Sequence, residues 1–255
     1  KQWDSIFTAR QSLNTVTAIA AARQRGYDWI IALDADELVC PDPHRVYPGQ
    51  LRDLLAGQPA EVQSVLFGTY EIVQRRMDYA RVFVEETLFK CPGGAIRKSI
   101  RDPLHATHFT IDGFYGQKVG KSALRLTANA RPRSSHRFVT MDGNWLKTAN
   151  AGGLLHYYCY AYGYFVNKYR GMAQHPDQYQ DGTPVEPQKR IWRDLVNNPD
   201  FSDEDLRAYF QRWILFNVRE VAGYRRPWRW WRRTAPSIVE ITTVSEVFAD
   251  GVAAL

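Results

Sequence analysis

The spacing of apolar residues predicts a chain in which helices and strands alternate. Between Ser12 and Arg25 apolar side chains recur every three to four positions, which indicates a helix, and Gly26 is a suitable C-terminal cap. The run Trp29–Leu33 is continuously apolar, as expected of a strand that is buried on both faces of a parallel sheet. A helix followed directly by such a strand is half of a βαβ unit.

The same pattern predicts the later elements of the chain. Ser202 is a candidate N-cap with acidic residues after it, and the polar, turn-rich stretch Ala173–Pro187 is a candidate linker. The predicted strands and β-like runs are Val62–Val73, Arg81–Val84, Ala106–Ile111 and Gly152–Tyr160. The predicted helices are Gln50–Leu55, Tyr162–Arg170, Gln188–Asn197 and Asp203–Ala222.

These elements predict an α/β protein with a mixed, Rossmann-type sheet flanked by helices. The sheet domain would comprise residues 1–172, and a helical C-terminal extension would comprise residues 173–255. A chain of 255 residues with 45% hydrophobic and 24% charged residues has ordinary globular composition, which excludes disorder throughout.

Charge and cysteine content indicate the compartment and the classes of partner that suit the chain. No apolar stretch approaches the ~20 residues that span a bilayer, and the first residues lack the pattern of a signal peptide. Three cysteines without a CxxC pair favour a reducing compartment, so we expect a cytoplasmic protein. A net charge of +6 is compatible with phosphates, nucleic acid or an anionic membrane surface as partners.

An acidic cluster follows the apolar run directly. Asp34, Asp36 and Glu37 come where the predicted strand ends, and ligands of open α/β sheets bind outside the carboxyl ends of the strands. Two aspartates at i and i+2 can turn toward one point, where Mg²⁺ or Mn²⁺ would take their oxygens and share them with a diphosphate. A cation would also relieve the repulsion among the carboxylates.

Acidic residues also cap strands and begin turns in many proteins, so an Asp-x-Asp triplet alone is weak evidence. A phosphatase of the haloacid-dehalogenase type would need Thr or Val where Leu38 stands. A nucleotidyltransferase usually brings an early glycine-rich phosphate loop, which is not visible here.

Two longer motifs carry a family resemblance. Tyr27–Val39 resembles the "DW-hydrophobic-DADEF-hydrophobic" signature of family-2-like glycosyltransferases with the GT-A fold, and Leu154–Tyr158 followed by Phe165, Lys168, Tyr169 and Gly171 is similar to their late "HY…S…F..K…G" element. A looser match is Gly120-Lys121-Ser122 followed by Arg125 and His136. The resemblance covers most of residues 10–172 and implies a GT-A-like fold and a transfer that inverts the sugar. Inversion is implied by the family alone.

The resemblance assigns roles by position. Asp34 would contact the nucleotide ribose or the metal, Asp36 would bind Mn²⁺ or Mg²⁺ and through it the diphosphate, and His156 would be a late metal or diphosphate ligand. The alternative for His156 is a histidine satisfied within an aromatic cluster. Lys121 and Lys168 are candidates for phosphate contact or else solvated surface lysines.

Inverting transfer also needs a carboxylate that takes the proton from the acceptor hydroxyl. Glu85 and Glu86 follow a β-like run, and Asp112 and Asp142 are their rivals. The implied substrates are a nucleotide-diphosphate sugar and a glycan or lipid-linked acceptor. GT-A domains normally begin with strands that hold the nucleotide base, and residues 1–11 are too short to supply them. We therefore expect either an N-terminally incomplete domain, part of a longer protein, or a domain in which this part is replaced by something unusual, and in both cases the base specificity is not readable.

The segment Arg225–Arg233 contains five arginines and three tryptophans. Tryptophan and arginine favour membrane–water interfaces and anionic headgroups, which predicts peripheral contact at the inner membrane face. The same residues could pack on the domain, or bind a polyanionic glycan or nucleic acid, the last being less favoured. A non-catalytic module that binds anionic polymer or membrane through this segment is therefore the alternative function.

Overall fold

The computed structural model describes residues 7–44, 50–178, 184–226 and 236–244, and of residues 7–9 only the backbone. The chain divides into two compact units. The first comprises the described residues up to Tyr70 together with Gln117–His156 and Ile241–Val244. The second comprises Glu71–Gly116 and the described residues from Tyr157 to Glu240.

Strands and helices alternate along the described chain. The strands are β1 (Trp29–Ile31), β2 (Glu37–Cys40), β3 (Ser64–Ile72), β4 (Leu88–Lys90), β5 (Lys98–Asp102), β6 (Thr107–Ile111), β7 (Lys121–Arg125), β8 (Ala130–Pro132), β9 (Phe138–Thr140), β10 (Thr148–His156) and β11 (Ile238–Glu240). The helices are α1 (Phe7–Gln24), α2 (Leu51–Ala56), α3 (Val82–Glu85), α4 (Tyr162–Gly171), α5 (Pro187–Asn197), α6 (Asp203–Tyr209) and α7 (Val218–Arg225), with a π-helical turn (Phe210–Ile214) between the last two.

The first unit is built on one sheet whose strand order is β1-β7-β3-β10-β2. Strand β3 belongs to this unit up to Tyr70. Helices α1 and α2 also lie in this unit, and strands β8 and β9 form a separate antiparallel hairpin within it.

The sheet is mixed. Strand β7 is antiparallel to both β1 and β3, and β10 is antiparallel to β2. Strands β3 and β10 run in the same direction, because the Gln63 and Ser64 amides donate to the Lys147 carbonyl at 2.9 and 3.2 Å while Gly152, further along β10, lies beside Phe67. The carboxyl ends of β1 and β10 and the amino ends of β2 and β7 therefore meet at one end of the sheet.

The predicted strand after the first helix exists, but its predicted environment is wrong. Strand β1 is an edge strand of the described sheet, its three residues are half-buried, and its pairing with β7 is antiparallel. Its apolar run is explained by contacts on two sides. Trp29 and Ile31 pack against the cluster that contains Phe67, and Ile30 packs against the cluster that contains Leu124. An apolar run indicates contact on both faces and not the direction of the neighbouring strand.

The second unit combines short strands with most of the helices. The last residues of β3 pair with β4, and β4 pairs with β11. Strands β5 and β6 form a hairpin. Helices α3 to α7 and the π-helical turn all belong to this unit.

An aromatic cluster forms the core of the second unit. Tyr115, Phe165, Tyr169 and Trp192 are completely buried, and their rings meet edge to face or tilted at centroid distances of 5.1 to 5.8 Å. These separations are typical of favourable aromatic pairs. Inside this core the Lys90 ammonium pairs with Glu71 at 2.5 Å and lies 4.2 Å from the centre of the Tyr115 ring.

Several local predictions are corrected. The β-like run Arg81–Val84 is largely the short helix α3. The single helix predicted over Asp203–Ala222 is interrupted once. Helix α6 passes directly into the π-helical turn, the chain then leaves helical geometry at Leu215, and Asn217 caps a new helix. The strand predicted over Gly152–Tyr160 begins earlier and ends at His156.

Other local predictions are confirmed. The helices near Ser12–Arg25, Gln50–Leu55, Tyr162–Arg170 and Gln188–Asn197 are present, and Ser202 caps α6 with a full capping box. The α/β class is confirmed, whereas the GT-A-like arrangement and the functional boundary after residue 172 stay predictions. The candidate linker Ala173–Pro187 lies partly outside the described residues. No helix among the described residues combines the length and hydropathy needed to cross a bilayer.

Candidate functional site

The acidic cluster lies at the end of the first unit's sheet where four strand ends meet. After β1 the chain makes a tight turn in which the Glu37 amide donates to the Asp34 carbonyl at 3.1 Å, and β2 begins at Glu37. In the β2–β10 ladder Glu37 is directly opposite His156. Strand pairing therefore brings two segments that are distant in the chain, the motif at Asp34–Glu37 and the motif at His156, to the same place.

Asp36 and His156 face each other. The Asp36 Oδ2 atom lies 3.7 Å from the His156 Nε2 atom, and both side chains are nearly buried, with 9% and 5% of their surface exposed. Both residues belong to the ligand set that the family resemblance implies, and the structure brings them together.

Asp34 points to different partners. Its carboxylate accepts hydrogen bonds from the Gln11 amide at 2.7 Å and from the Lys121 ammonium at 3.0 Å. Lys121 is buried at the start of β7 and also donates to the Ser135 carbonyl at 3.2 Å. Lys121 is thus part of the acidic site and not a solvated surface lysine, and its charge is matched by carboxylates.

Glu37 organises the turn. Its Oε2 atom accepts the Asp34 amide at 3.0 Å and lies 3.4 Å from the Lys121 Nζ atom, while Oε1 accepts from the Gln117 side chain at 3.3 Å. Burial raises the pKa of the Glu37 carboxyl above its ordinary value, and the nearby Lys121 ammonium opposes that rise. The sequence identified Glu37 only as a third acid, because most of its partners are distant in the chain.

His136 and Gly120 complete this end of the sheet. The His136 Nδ1 atom donates to the Gly120 carbonyl at 3.0 Å. Burial, reinforced by the Lys121 charge, lowers the pKa of His136 from 6.5 to about 4, so the ring is neutral near pH 7. The loose motif Gly120-Lys121-Ser122 with His136 is therefore a cluster in space.

Glu85 and Glu86, two predicted candidates for the catalytic base, belong to the second unit. Glu86 is buried and accepts hydrogen bonds from the Arg75 guanidinium at 2.8 and 2.9 Å, from the Tyr79 hydroxyl at 2.9 Å and from the Leu88 amide at 2.9 Å. A carboxylate with four such hydrogen bonds is typical of a structural role. Glu85 pairs with Arg76 at 3.1 Å.

Asp112 and Lys168 are also residues of the second unit. Asp112 is exposed after β6. The Lys168 Nζ atom lies 3.9 Å from the centre of the Tyr158 ring and 5.4 Å from that of Tyr164, which is a cation–π arrangement. The assignments of these residues as base and phosphate contact stay predictions.

The ligand atoms of the acidic site suit a divalent cation only in part. A carboxylate and an imidazole are acceptable ligands for Mn²⁺. Within the described ranges, however, no group of three His, Cys, Asp or Glu side chains is arranged to hold a metal ion. Asp36 and His156 would therefore supply two ligands, and a bound phosphate would have to supply others.

Comparison with known proteins adds a separate observation. Two proteins of Arabidopsis thaliana are similar to this chain, and both are named glycosyltransferase-like. One is 35% identical over 153 residues, which are 58% of this chain and 33% of that protein. The other is 34% identical over 152 residues, which are 58% of this chain and 29% of that protein.

The chain spans about a third of the length of these relatives. No protein-family model matches the chain, and no solved structure matches it. The similarity is to proteins named glycosyltransferase-like, and it specifies neither a donor, a metal nor a stereochemistry.

The basic-aromatic segment Arg225–Arg233 lies outside the described residues from Pro227 onward. At its start, Arg225 donates to Glu240 at 2.9 Å. Contact of this segment with a membrane stays a prediction.

Proposed function

We propose that the protein transfers a sugar from a nucleotide-diphosphate donor to a hydroxyl of a glycan or lipid-linked acceptor, with a divalent cation held at Asp36 and His156. The observation that carries this proposal is the 3.7 Å approach of the Asp36 carboxylate to the His156 imidazole at the end of the first unit's sheet. The similarity to glycosyltransferase-like proteins supports the class of reaction.

The two buried side chains would supply two ligands to a cation whose remaining ligands come from the substrate and water. Mn²⁺ and Mg²⁺ commonly share their coordination between protein carboxylates, water and the oxygen atoms of a phosphate. A site with two protein ligands would bind metal weakly alone and more tightly with the donor present. When bound, the cation would supply positive charge to the departing diphosphate.

The other residues of the site would position the donor. Asp34 keeps part of its surface exposed, 36% of the side chain, while Gln11 and Lys121 hold its carboxylate in one orientation. An exposed, fixed acceptor of this kind suits the hydroxyl groups of a ribose. Lys121 donates to this carboxylate, and the Glu37 side chain accepts from the Asp34 amide in the turn that carries it.

The acceptor hydroxyl must lose a proton as the new glycosidic bond forms and the sugar–phosphate bond breaks. Glu85, Glu86 and Asp112 remain the proposed candidates for this base, and Lys168 remains a proposed phosphate contact. We also propose inversion at the sugar, a cytoplasmic location and contact with the inner membrane face.

Thermal unfolding of the intact chain tests the donor and the cation together. The protein would be melted with UDP-, GDP- and CDP-sugars, each with and without Mn²⁺. We expect one donor to raise the melting temperature only when Mn²⁺ is present, because a ligand that binds only the folded state stabilises it by about 2.7 kcal/mol at one hundred times its Kd.

Matched variants assign the effect to the site. Asp36→Asn and His156→Gln should abolish the metal-dependent shift and sugar transfer, whereas Asp53→Asn, an exposed aspartate of α2, should retain both. A shift that is equal in the Asp36→Asn variant, or full transfer by metal-stripped protein, would remove the assignment.

A further inference from the structure

A second surface of the first unit has the chemistry of a binding site that the proposed reaction has not used. It consists of Arg131, Arg133, Arg137, Met141 and Trp145, which belong to the β8–β9 hairpin and the turn that follows it. We refer to these five residues as the hairpin surface.

The centre of the hairpin surface is an exposed indole. Trp145 has 63% of its surface exposed and neighbouring Met141 has 54%. Most tryptophans bury far more of their surface, so an exposed one on an ordered turn indicates a contact site.

The backbone that carries the exposed indole is nevertheless fixed, and one side chain packs on the ring. Trp145 forms an antiparallel bridge with Val139 of β9, and the Thr140 amide donates to the Asn144 carbonyl at 2.9 Å. The Arg133 guanidinium carbon lies 4.8 Å from the centre of the indole ring, a cation–π contact. An aromatic ring that is fixed before binding loses little conformational entropy when a ligand stacks on it.

The hairpin surface carries a net positive charge. Among the described residues, Arg131, Arg133 and Arg137 form no ion pair with a carboxylate, although Asp142 lies on the same turn. Arg137 donates to the Val119 carbonyl at 2.6 Å, and burial lowers the pKa of its guanidinium, with no carboxylate to offset this. The complementary ligand is therefore an anion.

The hairpin surface adjoins the acidic site. The loop between β8 and β9 contributes the Ser135 carbonyl that accepts from Lys121 at 3.2 Å and the His136 ring that donates to Gly120. A ligand bound along this loop would thus lie beside Asp34 and its partners.

We propose that the hairpin surface binds an acidic saccharide, with a sugar ring on the exposed face of Trp145 and its carboxylate or phosphate on Arg133 and Arg137. The C–H face of a pyranose ring packs on an aromatic ring, and a guanidinium matches the geometry of both anions. Identifying this saccharide as the acceptor rests on the proposed function, whereas its binding does not.

Binding to the intact chain tests the proposal, with isothermal titration calorimetry as the measurement. The probes are a β-linked glucuronic acid oligosaccharide, a neutral glucose oligosaccharide of the same length, and glucose 1-phosphate. The variants are Trp145→Ala, Arg133→Gln and Arg137→Gln. Arg212→Gln is the matched control, because Arg212 is also exposed and lies 5.3 Å from an indole centre, that of Trp213.

We expect an acidic probe to bind more tightly than the neutral one. Trp145→Ala should weaken both, and Arg133→Gln should weaken the acidic probe more than the neutral one, by about fivefold, as loss of one exposed ionic contact would predict. Arg212→Gln should bind as the parent does. Preference for the glucuronide or for the sugar phosphate would support the proposal and identify the anion.

Three results would overturn the proposal: no binding of any saccharide, binding that is unchanged in both Trp145→Ala and Arg133→Gln, or binding of anionic lipid vesicles through Trp145 without saccharide binding. Circular dichroism checks that each variant is folded. If the Trp145→Ala variant does not fold, the Arg133→Gln variant alone tests the proposal. The metal-dependent shift with a nucleotide sugar should persist in Arg133→Gln, so failure here is distinguishable from failure of the proposed transfer.

Discussion

At the scale of single residues, Gly120 shows how closely the backbone is packed beside the acidic site. Its φ is +73°, and a Cβ atom placed on it would lie 2.0 Å from the Phe67 carbonyl oxygen. The residue directly precedes Lys121, whose ammonium donates to Asp34.

We expect Gly120→Ala to destabilise the protein by about 2 to 4 kcal/mol, because positive φ and a backbone clash add. Gly26→Ala is the matched control, since Gly26 has a φ of +72° but no atom within 4 Å of the place that a Cβ would take. It should lose only about 1 kcal/mol. Urea unfolding measures both, and equal losses would show that the close approach to Phe67 is not rigid.

His136 predicts a pH dependence of stability. Its pKa is about 4 in the folded protein and 6.5 ordinarily, so between these values the unfolded chain binds a proton that the folded chain does not. The contribution to stability is therefore complete above pH 6.5 and is lost as the pH falls toward 4, by at most about 3 kcal/mol. Lys121 and Arg137 favour the neutral ring, and Asp34 opposes them.

Urea unfolding at pH 7 and pH 5 tests this dependence. His136→Gln should lose less stability than the parent between the two pH values, whereas His175→Gln, at an exposed histidine, should behave as the parent does. An unchanged pH response in His136→Gln would mean that the ring is not neutralised by its surroundings.

At the scale of elements, the break between the π-helical turn and α7 depends on one cap. The Asn217 side chain accepts hydrogen bonds from the amides of Arg219 and Glu220 at 3.0 Å each, and the Glu220 carboxylate accepts from the Asn217 amide at 2.8 Å. Apolar periodicity continues through the break, which is why the pattern predicted one helix.

Asn217→Ala should therefore cost about 1 kcal/mol, the usual value of an N-cap. Asn167→Ala serves as the control, since Asn167 is exposed in the middle of α4 and alanine is the better helix former there. Thermal unfolding should show a lower melting temperature for the first variant only. An equal response would mean that the cap does not stabilise α7.

At the scale of the whole molecule, the reactivity of the buried cysteine thiols measures whether parts of the folded chain unfold locally. Cys40, Cys91 and Cys159 are free and buried, and burial raises the pKa of the Cys91 thiol to about 11. Thiolates are the reactive form, so all three should be slow to react with an aromatic disulfide reagent while the protein is folded.

We expect almost no release of chromophore from the native protein and three equivalents in guanidinium chloride. A reductant should leave the melting temperature unchanged, because no disulfide joins these residues. Rapid reaction of one thiol under native conditions would locate a part of the chain that opens independently.

The sequence by itself determined features that depend on neighbours along the chain. The helix ending before Gly26, the cap at Ser202 and the acids directly after an apolar strand were all predictable, because caps, periodicity and chain order are local. The family-like motifs pointed to Asp34, Asp36 and His156 for the same reason.

Only the tertiary structure decided which of these residues meet. Lys121 donates to Asp34, which lies 87 positions earlier in the chain, and the Glu37 side chain accepts from the Asp34 amide in the turn. Strand β1 pairs antiparallel at an edge of the described sheet. Strand pairing joins distant segments through backbone hydrogen bonds that carry no side-chain signature. A local pattern therefore identifies neither the partners of a charge nor the direction of a neighbouring strand.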